Sequence, residues 1–454
     1  MQVTIIGGGS YQWAPKLITD LLAVPALSGM HLVLEDIDQK PLDHMEQYAK
    51  LADEKLGSKV TVSTTTDQRR ALDGADFVIV TISTGGFDSM SIDLDVPARH
   101  GIRQSVGDSV GPGGISRSLR NIPVLVGIAK DMEQCCPDAW MLNITNPMTC
   151  LTRAVTRESS IRTVGLCHEV GHFSMLLAVA LGKSHTSINP TVVGVNHFPV
   201  VTSLDIDGED GLGVLFSMIE ELGGLDAVAP RPGASEPDIF SPGGFARENF
   251  LKLTLLDRYG AIPAAGDRHL AEFLPSVLTE RSGWGSTWGI ELTPISKREQ
   301  HQAQYIADVE AVLAGQKEME TWDSGEIVAP VIDSLVTGAR RELPVNIPNR
   351  GQCPDLPSEV VVESICVIDS DGIRGRDQAR APQALAELLR RHVAVQELTV
   401  EAAMTGDRQI VDAAFALDPL AGRGDLTETD EMVEELLAGT ARWLPQFELA
   451  SSER

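Results

Sequence analysis

Met1-Gln2-Val3-Thr4-Ile5-Ile6-Gly7-Gly8-Gly9-Ser10 opens the chain. Val3–Ile6 reads as a short buried strand. The glycines after it turn the backbone sharply, and Leu17, Ile18, Leu21 and Leu22 then recur at helical spacing. Glycine between a strand and a helix lets the backbone approach a pyrophosphate, whose charge sits on the helix N-terminus. Gln12 stands where the third glycine of G-x-G-x-x-G would be, so the fingerprint is incomplete. A tight turn without ligand is the bland alternative. The alternation of strands and helices that follows favours a dinucleotide. Asp36, at the end of the second strand-like run, is placed to accept from a ribose hydroxyl. Its charge would repel a 2′-phosphate, which favours NAD. Gly7, Gly9, Ser10 and Asp36 are the candidate cofactor residues.

Leu42, Met45, Ala49, Ala52 and Leu56 share one helical face, and Gly57 stops that helix. Val60–Val62, Phe77–Ile82, Trp140–Ile144 and Val164–Cys167 read as further strands, with a helix from about Ser116 to Asp131. Strands separated by helices of this length imply crossover units and a parallel sheet, whose ligands bind at the carboxyl ends of the strands. After about Val200 short strands, long helices and Gly/Pro-rich loops at 229–233 and 241–244 mix. The expected architecture is therefore α/β. A Rossmann-like, doubly wound domain over 1–199 is followed by an α+β domain over 200–454 that serves substrate binding and oligomerisation.

Composition narrows the function. Against 37 Lys and Arg stand 64 Asp and Glu, a formal net charge of −27, which argues against binding nucleic acid. No apolar run reaches membrane-spanning length, and no basic stretch precedes the first strand, so neither a membrane anchor nor a secretory signal is expected. Six cysteines are too few for a disulfide scaffold in a chain of 454 residues and read as reduced cytoplasmic thiols.

Three further stretches could carry chemistry. Gly111-Pro112-Gly113-Gly114 precedes a helix bearing Arg117 and Arg120, a loop that could hold an anionic or hydroxyl-rich ligand or be a plain connection. Cys167 and His197 each stand at the end of a strand. A thiolate and an imidazole at adjacent strand ends can share one divalent ion and leave positions open for substrate oxygens. Alone, each is more often structural. His168-Glu169-Val170-Gly171-His172 matches the zinc-peptidase pattern H-E-x-x-H. That pattern works only on a helix, whereas here it follows a strand and Gly171 weakens its middle, so a peptidase is the minority reading.

Taken together these motifs resemble glycoside hydrolase family 4, the NAD- and divalent-metal-dependent glycosidases that depart from two-carboxylate hydrolysis. The similarity extends through Asn143-Ile144-Thr145-Asn146-Pro147, Cys167-His168-Glu169, Gly194-Val195-Asn196-His197, Gly266-Asp267-Arg268-His269-Leu270-Ala271-Glu272-Phe273 and Val345-Asn346-Ile347-Pro348-Asn349. The resemblance implies NAD, Mn²⁺ or another divalent cation on Cys167 and His197, and Asn146 against the sugar. It further implies transient oxidation at C3, metal-assisted loss of the C2 proton and elimination of the aglycone. Many members place Tyr as the C2 base near 266–273. This chain has none there, and Asp267 is the expected substitute, with His269 and Tyr259 behind it. His168 follows the metal-binding Cys where some phospho-glycosidases have Asp, a candidate leaving-group acid. Asp108 stands where many members have Glu, as an acid/base or metal-water partner. The expected substrate is a small unphosphorylated α-glucoside. Galactosides, uronides and 6-phosphoglycosides are alternatives, and the protein is expected to be a homodimer or homotetramer. The fold of this family is that of lactate and malate dehydrogenases, which makes a hydroxy-acid dehydrogenase the nearest rival. A non-catalytic NAD-binding regulator is the rival from a binding class.

Overall fold

The computed structural model describes residues 1–230, 239–241, 243–321 and 324–447. Parts of the 229–233 and 241–244 stretches therefore lie outside the described residues. Six parallel strands form the N-terminal sheet: β1 (Gln2–Ile6), β2 (His31–Glu35), β3 (Thr61–Thr65), β4 (Phe77–Val80), β5 (Trp140–Asn143) and β6 (Arg162–Gly165). They lie in the order β3-β2-β1-β4-β5-β6, the doubly wound arrangement expected for dinucleotide binding. The order reverses direction beside β1, so the crevice opens over the Gly7 turn.

Burial follows the strand period. Ile5, Leu32, Leu34 and Ile79 face one core with the helices Ala14–Ala23 and Gln39–Leu56, while Ile6, Val33, Val78 and Val80 face the other. The second helix ends where expected, Gly57 taking φ +72° as its left-handed cap.

The sheet does not stop at β6. Asn346 of β11 (Arg341–Pro348) pairs antiparallel with Gly165, and β12 (Val361–Asp369) pairs β11 along its length. Beyond these follow β7 (Ile188–Val195), β8 (Phe198–Ile206) and β10 (Ile262–Pro263), with β9 (Glu209–Asp210) and β13 (Gly372–Gly375) at the side. One mixed sheet thus runs through the molecule. Position 199, the expected domain division, falls inside β8. The late helices Gln383–Thr405, Arg408–Leu417 and Leu426–Thr440 return to the N-terminal half, where Val395, Val411, Phe415 and Met432 join the core under the helix Gly111–Cys135.

Two readings need correction. Gly111-Pro112-Gly113-Gly114 is no loop but the first turn of the helix Gly111–Cys135. Proline is tolerated in a first turn. The glycines serve close approach: a Cβ on Gly113 would lie 2.8 Å from the Gly107 carbonyl oxygen, and one on Gly114 2.6 Å from the Ser109 carbonyl carbon. Second, β6 and β7 are not adjacent, because β11 and β12 lie between them. All six cysteines are free, and among the described residues no helix is long and apolar enough to cross a membrane.

Candidate active site

The Gly7 turn is stitched to the end of β2. Gly7 and Gly8 donate their N–H groups to the Glu35 carbonyl at 2.9 and 2.7 Å. Gly7 takes φ +87°, and a Cβ there would lie 2.0 Å from the Thr81 carbonyl oxygen, so only glycine fits. Asp36 accepts from Gly9 N at 3.1 Å and from Asp38 N at 3.2 Å, which fixes its carboxylate at the lip of the turn. Burial pushes that carboxyl upward, and the backbone N–H groups pull it back. Ser10 Oγ accepts from Trp13 N at 3.2 Å and so leads the chain into the helix that starts at Ala14. A bare turn with a carboxylate at its edge fits the pyrophosphate and ribose of a dinucleotide.

The second constellation gathers three segments. Asp108, His197 and His269 place one ligand atom each within 4.8 Å of one another, the group of this kind found among the described residues. His197 follows Asn196 in the two-residue turn between β7 and β8 and holds φ +67°, a strained conformation for a residue with a side chain. Its Nδ1 meets Ser109 Oγ at 2.6 Å, leaving Nε2 as the free nitrogen. The His269 ring lies over it, centroids 4.0 Å apart. His269 Nδ1 is buried without a hydrogen-bond partner, 3.7 Å from Asp108 Oδ1. Burial, then His269, drive His197 down to about 3, so its ring is neutral and its lone pair available. Burial alone would raise the Asp108 carboxyl, but His269, His197, Arg117 and the Ser109 hydroxyl hold it well below the usual range. An ionised carboxylate beside the neutral His197 ring and the orphaned His269 nitrogen fits a divalent cation of the first transition row.

Asn146 joins this set to the sheet edge. Its Nδ2 approaches Asp108 Oδ2 at 3.4 Å, its Oδ1 is buried and unpartnered, and Arg117 Nε donates to its carbonyl at 3.0 Å. The neighbouring Thr145 Oγ1 accepts from Ile82 N at 3.0 Å, next to the Thr81 carbonyl that abuts the Gly7 turn.

Cys167 stays outside the compact set. It is buried, and burial followed by Glu363 and Glu169 pushes its thiol well up, while the Asn196 side chain opposes them. Although β6 and β7 are apart, Asn196 N donates to Thr149 Oγ1 at 3.2 Å and the Asn196 side chain hydrogen-bonds Cys167, so the residue next to His197 touches the thiol. His168 caps the helix Glu169–Leu181, and its Nδ1 lies 3.1 Å from Glu326 Oε1. That contact is the main cause of its raised pKa, with burial opposing. Glu169 turns inward and accepts from Gly266 N at 2.5 Å.

The H-E-x-x-H stretch does begin a helix, contrary to expectation: His168 stands at the N-cap position of Glu169–Leu181, with Gly171 in the first turn. His172 nevertheless faces solvent, its ring centroid 6.5 Å from that of His168, and it belongs to no metal-binding group among the described residues. Asp267 also departs from expectation. Its Oδ2 accepts from Leu251 N at 2.7 Å and its Oδ1 from Lys252 N at 3.3 Å, with Lys252 Nζ at 3.5 Å. The carboxylate therefore satisfies the orphaned N–H groups of the helix Phe250–Tyr259 instead of joining the set. Tyr259 ends that helix and packs beside the Phe198–Phe273 core, while His269, the other alternative, is in the set. Arg120 is fully buried on Asp93 (Nη1–Oδ1 2.9 Å), which leaves Arg117 as the guanidinium turned to Asp108. The first-turn N–H groups of Gly111 and Gly113 go to Asp418 and Gln104, so that helix end offers nothing to an anion. Ser109 and Glu326 were not singled out from sequence, since neither stands in a recognisable motif.

A family model described as "Family 4 glycosyl hydrolase" matches residues 2–183, and the "Family 4 glycosyl hydrolase C-terminal domain" matches 192–421. An alpha-galactosidase of Bacillus subtilis (strain 168) is 32% identical over 98% of this chain and 99% of its own. An alpha-galacturonidase of Lachnoclostridium phytofermentans is 34% identical over 98% and 97%. The crystal structure of a 6-phospho-alpha-glucosidase from gut microorganisms, in complex with NAD and Mn²⁺, shares the fold with a TM-score of 0.81 at 21% identity, over 98% of this chain and 99% of that one. A doubly wound sheet with a candidate dinucleotide turn and a cation-ready donor set is the dehydrogenase-like frame. Within that frame, the chain belongs to glycosyl hydrolase family 4.

Proposed function

We propose that the protein hydrolyses small, unphosphorylated α-hexosides, galactosides and galacturonides foremost, by reversible oxidation of the sugar. The observation that carries the reading is full-length similarity to relatives of those activities, together with a dinucleotide turn and a cation-ready set joined by Thr145-Asn146. When bound, NAD⁺ would supply reversible hydride acceptance at C3, and a divalent cation would supply Lewis acidity at the neighbouring oxygens.

The chain's own residues then have separate tasks. Gly7, Gly9, Ser10 and Asp36 hold the cofactor. His197 with Cys167 holds the cation, as the family resemblance implies, and Asp108 and His269 stand beside it to take a ligand position or a proton. Asn146 offers an unpartnered amide oxygen to a sugar hydroxyl. His168, whose protonated form Glu326 favours, serves the leaving oxygen. Arg117 adds a positive charge that favours an acidic sugar. An α-glucoside, the expectation from sequence, remains an arm of the test.

Chromogenic α-galactoside, α-galacturonide, α-glucoside and 6-phosphoglycoside are offered with NAD⁺, Mn²⁺ and thiol. Release of the chromophore from an unphosphorylated α-hexoside, dependent on both additions and without NADH build-up, is the expected outcome. Full activity after verified removal of nucleotide refutes the redox route, and stoichiometric NADH would point to a dehydrogenase.

A further inference from the structure

The loop 104–109 carries Asp108 and Ser109 and is fixed from several sides. Gln104 Oε1 accepts from Gly113 N at 2.8 Å, and Gln104 Nε2 donates to the Val110 carbonyl at 2.9 Å. Thr293 donates to the Ser105 carbonyl through both N and Oγ1, each at 3.0 Å. Arg298 donates to the Val106 carbonyl at 2.7 Å. The remaining N–H groups of Val106 and Gly107 converge on one atom, Glu272 Oε1, at 2.6 and 2.8 Å. Ser105 Oγ approaches the same oxygen at 3.3 Å.

Glu272 is 1% exposed, and the N–H groups of Val106 and Gly107 fix its Oε1. It lies in the 3-10 turn Ala271–Phe273, directly after the short helix Asp267–Leu270 that carries His269. One carboxylate therefore ties the backbone under His269 to the backbone under Asp108. The loop it holds ends in Ser109, whose hydroxyl fixes the His197 ring. All three members of the set are reached from this one side chain.

We propose that Glu272 is a positioning residue for the cation set, holding the 104–109 loop so that Ser109 orients His197 and Asp108 faces His269. This rests on the reading that His197 holds a divalent cation. Groups that orient a metal-binding histidine change metal affinity by roughly 10–100-fold when removed, although they never touch the metal. A carboxylate with a merely structural role would lower stability and leave that affinity alone.

The test titrates Mn²⁺, and separately NAD⁺, into the wild type, Glu272→Ala, Glu272→Asp and Glu272→Gln, with thermal midpoints alongside. Glu272→Ala is expected to weaken Mn²⁺ by roughly 10–100-fold while NAD⁺ affinity holds within about twofold. Glu272→Gln keeps the accepting oxygen and should restore Mn²⁺ affinity to within about threefold of wild type. Glu272→Asp is too short to reach both N–H groups and should fall on the alanine side, which keeps the test intact if the alanine variant does not fold. Unshifted Mn²⁺ affinity in the folded alanine or aspartate variant overturns the proposal, as does equal weakening of Mn²⁺ and NAD⁺. A wild type that takes up no Mn²⁺ overturns the cation reading, and the proposal with it.

Discussion

The Gly7 turn and the Asp108–His197–His269 set are joined by Thr145-Asn146, but the chain builds them by opposite routes. Each protein group of the turn comes from the first strand–helix–strand unit, and backbone N–H groups and carbonyls do most of the holding. The set draws one residue from a loop before the helix Gly111–Cys135, one from a strained hairpin turn and one from a short helix beyond β10. Side chains hold it together: Ser109 on His197, Glu272 under Asp108. A site made of contiguous backbone should be hard to disturb except at its glycines and its one carboxylate. A site assembled across the fold should fail whenever any of its carriers moves.

The largest effects should separate the two. His197→Ala removes the ring with the free nitrogen and is expected to abolish Mn²⁺ uptake. Turnover of whichever glycoside the wild type hydrolyses should drop by roughly 10³-fold or more, the scale of losing Lewis-acid assistance. NAD⁺ should still bind. Asp36→Asn should do the reverse, weakening NAD⁺ by roughly 10–100-fold, the worth of a charged hydrogen bond, with Mn²⁺ unaffected. His172→Ala serves as the control and should change neither, since that ring faces solvent. Bound metal measured in all variants decides the matter. Retained Mn²⁺ in the His197 variant would break the comparison, and lost Mn²⁺ in the His172 variant would revive the peptidase reading.

Acid should also act on one region more than the other. His392 is buried behind the set, its Nε2 2.9 Å from the Phe273 carbonyl and its ring against Phe198 and Phe273. Burial pushes it from 6.5 down to about 4. Between those values the unfolded chain binds the proton and the native state does not, so stability rises with pH. The contribution is complete above the unfolded value and is lost as pH falls from about 6.5 toward 4. A shift of this size is worth about 3 kcal/mol, to order of magnitude. Burial raises Glu272 to about 7 and Glu363 to about 8, which gives the opposite slope. Comparing wild type with His392→Gln at each pH cancels those carboxyls. The glutamine variant is expected to lose less stability in acid, and equal acid sensitivity would show that the ring titrates normally.

The same contrast explains what was legible in the sequence. Gly7, Gly9, Ser10 and Asp36 could be read because a strand, a turn and a helix in succession dictate where each residue goes. The parallel strands and the family membership were legible for the same reason, since local periodicity and ordered motifs carry them. His197 could be read as a residue at the end of a strand, but its neighbours could not. Ser109 and Glu272 matter through contacts made across the fold, and no spacing encodes those contacts. Gly111–Gly114 misled because glycines that permit close packing look like glycines that permit a turn. Cys167 and His197 were expected on neighbouring strands, and only the late arrival of β11 and β12 shows otherwise.

Asp267 is the sharpest instance, and its replacement should have only a small effect on turnover. From sequence a carboxylate flanked by Ala265-Gly266 and Arg268-His269 suits a base close to ligand. In the fold its neighbour His269 joins the set, while Asp267 turns to the N-terminus of the helix Phe250–Tyr259, accepting from Leu251 and Lys252. The Lys252 ammonium stands 3.5 Å away and also donates to the Ala265 carbonyl at 3.0 Å. Asp267→Asn keeps the shape and one acceptor oxygen but removes the charge opposite a buried ammonium at a helix start. Because Lys252 keeps its carbonyl partner, the cost should be that of a weakened cap, about 1–2 kcal/mol in denaturant unfolding. Turnover should stay within about threefold of wild type, against a loss of roughly 10²–10⁴ for a positioned base. Exchange of the C2 hydrogen with solvent deuterium reads the step directly. If Asp267→Asn exchanges at the wild-type rate with a lowered unfolding midpoint, the residue is a cap and the proton belongs to the set. If exchange collapses while stability holds, Asp267 turns inward when substrate binds, and the line between the two kinds of site is less sharp than the fold suggests.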